Sequence, residues 1–423
     1  MGVEMIARIK NITSAGLLAL LGSTTLAAAD VTVEFWHSFG GSSGDALNRI
    51  IENFEAENAD IKIDAQEIGN YNDIVTKLQA AIPARRAPDA VIMEVTRYGL
   101  FADRDVLKDL TAYVDADPLK DDLFNFAREV GVYEGKNYIV PFNSSTPVLY
   151  FNKAIFQQAG LDENTPLKTY DDLLAAAQKI TQTLGEDGIS GIAAPGQFAR
   201  WGLVMDNDSD LIDSVSGDIL LDAPNTIEAY EFMASLVHEH KVASPDGVTQ
   251  ENNGRDAFLA GKVGMMINST GNYGRSTSAL GDDLAVVPMP CNKVCAVPIG
   301  GAGIGILSTS EQEVQDAAYK FISFAASPES NAIWFSETGY MPINKNTAEQ
   351  PLAIEALAEK PGIDVAINQL DVARGRPRPP VVTWMRASEY DLWQAMALGQ
   401  REVPDVLNEF AERTRAEADR LKK

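Results

Sequence analysis

Two prolines bracketing a pair of serines constrain this chain more than any other stretch. Residues 141–153 read PFNSSTPVLYFNK. Proline cannot donate to a strand ladder and restricts the residue before it to extended geometry. Tyr138, Ile139 and Val140 therefore read as a short strand that Pro141 ends, and Thr146 is held extended ahead of Pro147. Ser144 and Ser145 then fall in a rigid, irregular segment, because the chain turns apolar again from Val148 to Phe151 and opens into a helix. A hinge between two halves of a molecule has this pattern. So does a surface connector whose serines bond only backbone and water.

The N-terminus and the charge bound the setting. Residues 1–29 read as a signal peptide: Arg8 and Lys10 are basic, residues 15–26 are apolar but too few to span a bilayer, and Ala27-Ala28-Ala29 precedes Asp30 as a cleavage site. No cysteine follows that site and no later run is long and apolar, so a soluble protein exported to an oxidising compartment, a bacterial periplasm, is expected. Removing Glu4, Arg8 and Lys10 takes away a net +1, so the formal charge of −25 becomes −26. That balance argues against nucleic acid and anionic membrane surfaces as partners, and any anionic ligand must be held locally against the overall field. Cys291 and Cys295 are the only cysteines, and for an exported chain a small-loop disulfide is favoured over free thiols or an incomplete metal pair. His238 and His240 flank Glu239 at the end of a helical pattern and read as a solvated face, so neither metal nor cofactor is expected.

Strand and helix patterns alternate from Val31 onward, in a length that suits two or three domain-sized units. A strand at residues 31–36 is followed by a helical face of Leu47, Ile50, Ile51 and Phe54, then by a strand through Ile61, Ile63 and Ala65. This is a βαβ unit. After Gly69-Asn70-Tyr71, Ile74, Leu78 and Ile82 mark another helix, and residues 90–93 the next strand, which leaves Glu94 at a carboxyl end where ligands of open α/β sheets gather. Residues 171–181 and 227–237 read as helices, residues 264–268 as a strand that opens into Ser269, and residues 191–222, with Trp201, have no clear pattern.

Residues 298–307 read as a glycine-rich turn feeding a strand, with amides free for an anion. Ser310 and Glu313 make a capping box for the following helix, and Ser327-Pro328 opens another that closes at Gly339-Tyr340. Leu392, Trp393 and Met396 mark one C-terminal helix, with Arg386 placed just before it, where its fork suits phosphate or carboxylate.

Phe35-Trp36-His37-Ser38, Gly69-Asn70-Tyr71, residues 141–153, the run from Thr338 to Ile343 and the Arg386 region, in this order, resemble the periplasmic glycerol-3-phosphate-binding proteins of bacterial ABC uptake systems. The resemblance implies a periplasmic-binding-protein-like α/β fold of two lobes joined by hinge strands, with a ligand cleft between them. One lobe would combine residues 30–140 with 299–344, the other residues 141–298 with 345–423. It carries the ligand contacts onto Tyr71, Glu94, Ser145, Ser269, Gly301, Tyr340 and Arg386. Arg386 would bind phosphate, the hydroxyls and the Gly301 amide would donate, and Glu94 would accept from polyol hydroxyls at the opposite end of the pocket from Arg386. The family's tryptophans after a Gly-x-Ala stretch have no match at Gly191-Ile192-Ala193, so Trp201 is expected to enclose the ligand from a shifted loop, and a glycerophosphodiester remains an option beside sn-glycerol-3-phosphate.

The implied role is capture by a monomer and delivery to an ABC permease complex in the inner membrane, not catalysis. Two other classes compete. A binding protein for a neutral sugar or oligosaccharide would rely on stacked aromatics and carboxylates. A periplasmic hydrolase would need a base for Ser144 or Ser145, and only His37 lies near these motifs.

Overall fold

The structure, a computed structural model, describes residues 31–249 and 252–422. The signal-peptide reading of residues 1–29 lies outside them. Two sheets organise the chain, and each has its own packed core.

The first sheet orders its strands as Ile61–Glu67, Val31–His37, Ala90–Glu94, Gly300–Ile306 and Val140–Ser145. The first three are parallel, and Gly300–Ile306 runs antiparallel to both its neighbours. Ala90–Glu94 is buried along its whole length, as a strand covered on both faces must be. Leu47, Ile50 and Phe54 of the helix Ser42–Glu57 pack with Phe35, Ile92 and Ile304 of this sheet and with Phe321 of the helix Gln312–Ala325. The second sheet orders Leu284–Val287, Pro147–Asn152, Val263–Ser269 and Ser190–Ile192. Its core joins Phe151, Ile180, Tyr230 and Met265 to Met385, Trp393 and Phe410 of the two C-terminal helices, Val381–Ala397 and Val403–Leu421.

Several local expectations hold. The helix expected after Gly69-Asn70-Tyr71 is Tyr71–Ala81, which the structure opens with a capping box at Asn70; Ser327 caps Pro328–Thr338 by accepting from the Ser330 amide, and Gly339 ends that helix with φ 80°. Cys291 and Cys295 are joined by a disulfide.

Other expectations give way. Pro141 does not end a strand: it lies inside Val140–Ser145, an edge strand, opposite Gly303 where the register shifts. An edge with a bulge is where a missing N–H does no harm. Ser144 and Ser145 are consequently strand residues, and Ser144 exchanges backbone hydrogen bonds with Met341. Residues 141–145 thus pair within the first sheet, not the second, and the chain passes from one sheet to the other at Thr146. Ser310 makes no capping box either. Its hydroxyl bonds Asp89 Oδ1 at 2.7 Å, and the helix Gln312–Ala325 begins from Glu311 without a side-chain cap.

The glycine-rich run is a strand, not a turn, and close approach explains its composition. A Cβ on Gly300 would lie 2.6 Å from the Phe198 ring and 2.7 Å from Ser145 Oγ. Gly301 adopts φ +117°, and a Cβ there would lie 2.2 Å from the Asn143 carbonyl oxygen. Tertiary crowding overrides the poor strand propensity of glycine. Gly301→Ala is expected to lose about 2 kcal/mol or more of stability through strain and overlap together. Urea denaturation checks this, and an unchanged midpoint would mean that the strand is not held as described.

Candidate functional site

Strand ends bring the expected residues together. Glu94 closes Ala90–Glu94, Ser145 closes Val140–Ser145 and Ser269 closes Val263–Ser269. Gly300 is in register with Ser145 and Ala302 with Glu94, so Gly301 enters at the same edge. Tyr71 opens its helix, and Tyr340 follows the left-handed Gly339. All seven expected residues, Tyr71, Glu94, Ser145, Ser269, Gly301, Tyr340 and Arg386, line one cavity of about 180 Å³. The larger hollow of about 460 Å³ beside Val114 and Tyr319 shares no residue with it, whereas one of about 270 Å³ adjoins it through Asn72 and Arg97.

Arg386 belongs to the interior of the helix Val381–Ala397 instead of preceding a helix, because Pro380 starts that helix earlier than the apolar pattern at Leu392 implied. Val382, Met385, Arg386, Glu389, Trp393 and Met396 are all buried, at spacings of three and four that form one face. Arg386 is 7% exposed, its guanidinium lies 5.4 Å from the Trp201 ring centre, and its Nε and Nη1 have no hydrogen-bond partner among the described residues. A buried charge with unused donors is costly unless an acceptor is supplied.

The cavity also holds residues that sequence reasoning missed, Arg376, Arg97, Phe198 and Asn72 among them. Arg376 forms a buried ion pair with Glu94 through Nη2 and Oε1, and its Nε donates to the Ile299 carbonyl at 2.9 Å. Its plane faces Phe198 at 4.9 Å and Trp201 at 5.1 Å. Arg97 Nη1 donates to Asn72 Oδ1 and its Nε lies 3.8 Å from Glu94. The available signal was the alternation Arg374, Arg376, Arg378 ahead of the prolines, which carries three guanidiniums on a stiff segment.

Glu94 is therefore ringed by cations. Burial alone would push its carboxyl up, but Arg376, Arg386 and Arg97, with the Thr96 hydrogen bond, bring it down to about 2. Arg386, expected at the opposite end of the pocket, is one of the charges that act on it. Its Oε2 already accepts from the Thr96 amide at 3.1 Å and the Thr96 hydroxyl at 2.5 Å. Tyr71 and Tyr340 are raised above the ordinary phenol value chiefly by burial, so both present neutral hydroxyls. Ser145 is buried, and the Ser269 Oγ accepts from the Gly271 amide at 3.1 Å, which leaves its proton to donate elsewhere.

Trp201 does not enclose the cavity from a loop. It lies in the helix Gln197–Asp206, fully buried, with its indole N–H donating to Asp210 Oδ1 at 2.7 Å, and it backs the two arginines from behind while Phe198, nearer the start of that helix, forms the wall. His37, the candidate base, is lowered to about 4 by burial, and its Nδ1 accepts from the Phe39 amide at 3.3 Å.

Residues 49–362 match the family model described as bacterial extracellular solute-binding protein. The chain belongs to that family. This solute-binding protein is 29% identical over 375 residues to the sn-glycerol-3-phosphate-binding periplasmic protein UgpB of Escherichia coli strain K12, covering 84% of this chain and 83% of the relative. Its fold is that of UgpB from Mycobacterium tuberculosis in complex with glycerophosphocholine, with TM-score 0.83, 24% identity, and 93% and 99% of the two chains covered. It is equally that of an ABC substrate-binding protein from Listeria monocytogenes in complex with cycloalternan, with TM-score 0.82, 23% identity, and 92% and 98% covered. The two-lobed α/β solute-binding architecture follows from these likenesses. No helix among the described residues is long and apolar enough to cross a membrane.

Proposed function

We propose that this solute-binding protein captures sn-glycerol-3-phosphate, or a glycerophosphodiester, in the periplasm and delivers it to the permease of an ABC importer. The observation that carries this reading is Arg386, a buried guanidinium that lines the cavity and whose Nε and Nη1 find no acceptor among the described residues. A phosphate supplies acceptors in the geometry that a guanidinium fork fits. Tyr71, Tyr340, Ser145 and Ser269 line the same cavity and would offer it neutral hydroxyl donors. A space of about 180 Å³ suits a small metabolite better than an oligosaccharide. The name of the E. coli relative and the ligand of the M. tuberculosis structure agree with a glycerophosphate group.

Capture works by closure. One lobe is built on the first sheet and contributes Tyr71, Glu94, Ser145, Gly301 and Tyr340; the other is built on the second sheet and contributes Ser269 and Arg386. A ligand drives closure only through contacts that it makes better in the closed form, so donors from both lobes must touch it. Thr146 and the neighbouring strand ends would act as the hinge.

Titration calorimetry on the protein lacking residues 1–29 tests the reading. Glycerol-3-phosphate is expected to bind and glycerol is not; equal affinity for the two would rule the proposal out. The same protein titrated with maltose should release no heat of binding, whereas tight maltose binding would favour the neutral-sugar class of its structural neighbours.

A further inference from the structure

Arg386 can meet a ligand only if the start of its helix is held in place, and the segment before that helix is tied to the other side of the cleft. We propose that Arg378 is a positioning residue for ligand capture. It pins the strap of residues 373–380 to elements packed on the first sheet, and so sets where the helix Val381–Ala397 presents Arg386. The inference rests on the capture reading and adds to it a residue outside the cavity.

The strap reads ARGRPRPP. Pro377, Pro379 and Pro380 fix their own φ and hold Arg376 and Arg378 extended, so it is stiff. Ala373–Arg374 pairs in parallel with Val297–Pro298, and Ala373 packs against Val95, Val130 and Ile299. Arg376 is then bonded to the Ile299 carbonyl and paired with Glu94. Arg378 makes the next attachment. Its Nη1 donates to the Glu129 carbonyl at 2.6 Å and to the Val132 carbonyl at 2.7 Å, and lies 3.4 Å from the Tyr98 hydroxyl. Tyr98 is fully buried in the core of the first sheet, with its hydroxyl donating to the Val130 carbonyl at 2.8 Å. The backbone is seated as closely as the side chain, because a Cβ on Gly99 would lie 2.1 Å from the Arg378 carbonyl oxygen. Only a glycine leaves room for the strap.

Beyond Pro380 the chain enters the helix, whose Val382 and Met385 pack in the core of the second sheet. The Thr383 hydroxyl still reaches back, donating to the Arg97 carbonyl at 3.1 Å. Arg386 stands five residues after Val381, about 7.5 Å along the helix axis. Neither the prolines nor the helix can absorb a displacement over that distance, so a shift of the strap at Arg378 moves the guanidinium that meets the anion. Arg378 and Gly99 are themselves outside the cavity lining.

Calorimetry with glycerol-3-phosphate on the protein lacking residues 1–29 tests this through a cycle with Arg386→Met. Arg378→Met should weaken binding about tenfold in the parent, but by less than about twofold in the Arg386→Met background, where the contact that it positions is already gone. Gly99→Ala displaces the strap with every charge kept, and should follow the same pattern. Arg378→Lys keeps a cationic donor for the two carbonyls and should bind within about threefold of the parent. A role in folding alone would lower stability while leaving affinity unchanged, or would weaken binding equally in both backgrounds; either result overturns the proposal. So does parent-like affinity in both Arg378→Met and Gly99→Ala. A parent protein that binds no glycerol-3-phosphate overturns the capture reading and this inference with it. A parent that binds, with Arg386→Met binding equally well, overturns the role of Arg386 and therefore that of Arg378.

Discussion

Arg386→Met should lower affinity for glycerol-3-phosphate by about 2 kcal/mol or more, roughly thirtyfold, while leaving the ligand-free protein as stable as its parent or more so. The two halves of this prediction share one cause. Arg386 sits on a buried helix face with its Nε and Nη1 unpaired among the described residues, so in the free protein it is a desolvated charge with donors unspent. Methionine keeps the aliphatic packing of the arginine stem beside Trp201 and removes that penalty. In the complex the same donors would meet phosphate oxygens, and their loss falls on binding. Calorimetry reads the affinity, and thermal denaturation without ligand reads the stability. A variant that binds like the parent would place the phosphate elsewhere, and one that loses stability would show that Arg386 serves the fold.

The opposite balance is expected one turn further along the same helix. Glu389 is buried and grips Arg200 in a bidentate pair at 2.7 and 2.9 Å, with the Tyr230 hydroxyl donating to it at 2.8 Å. Arg200 in turn packs over Trp393 at 4.7 Å and donates to the Pro195 carbonyl at 2.7 Å. The pair ties Gln197–Asp206, which carries Phe198 and Trp201, to Val381–Ala397, which carries Arg386. Glu389→Ala removes the carboxylate that grips the buried Arg200 guanidinium, and about 3–5 kcal/mol of stability should be lost by urea denaturation. The double variant Arg200→Met with Glu389→Met should recover most of the loss, because no buried charge of the pair is then left without the other. If the double variant is as unstable as the single, the pair is not the source of the effect.

The same pair predicts an acid dependence. Burial alone would raise the Glu389 carboxyl, but Arg200 and the Tyr230 hydroxyl outweigh it and hold the carboxyl below its ordinary value. A carboxyl depressed on folding contributes stability that is present above the unfolded pKa and is lost as pH falls through the folded one. The parent protein should therefore weaken as pH drops below the usual glutamate range, and the double methionine variant should weaken less over that interval.

How much of this was legible in the sequence depended on whether the signal was local. Period-two and period-3.6 patterns located the strands and helices around Phe35, Leu47, Ile63 and Leu78, and so placed Glu94 at a strand end. Turn chemistry located Gly339 and hence Tyr340. The glycine-rich run misled because its residues are small for the sake of neighbours: Phe198 and Asn143 approach from segments far along the chain. Pro141 misled for a related reason, as only the sheet order reveals that its strand lies on an edge. Arg376 was passed over because its partner, Glu94, stands 282 positions away.

From its own periodicities the chain determined the order of strands and helices, the residues at their ends, and the order of its recurring motifs, since these depend on neighbours a few positions apart. Which arginines would lie buried, which of them Glu94 would neutralise, and which would keep donors unspent was decided only when distant segments packed together. Desolvation and pairing of a charge depend on everything that surrounds it in space, and no window along the chain contains that information.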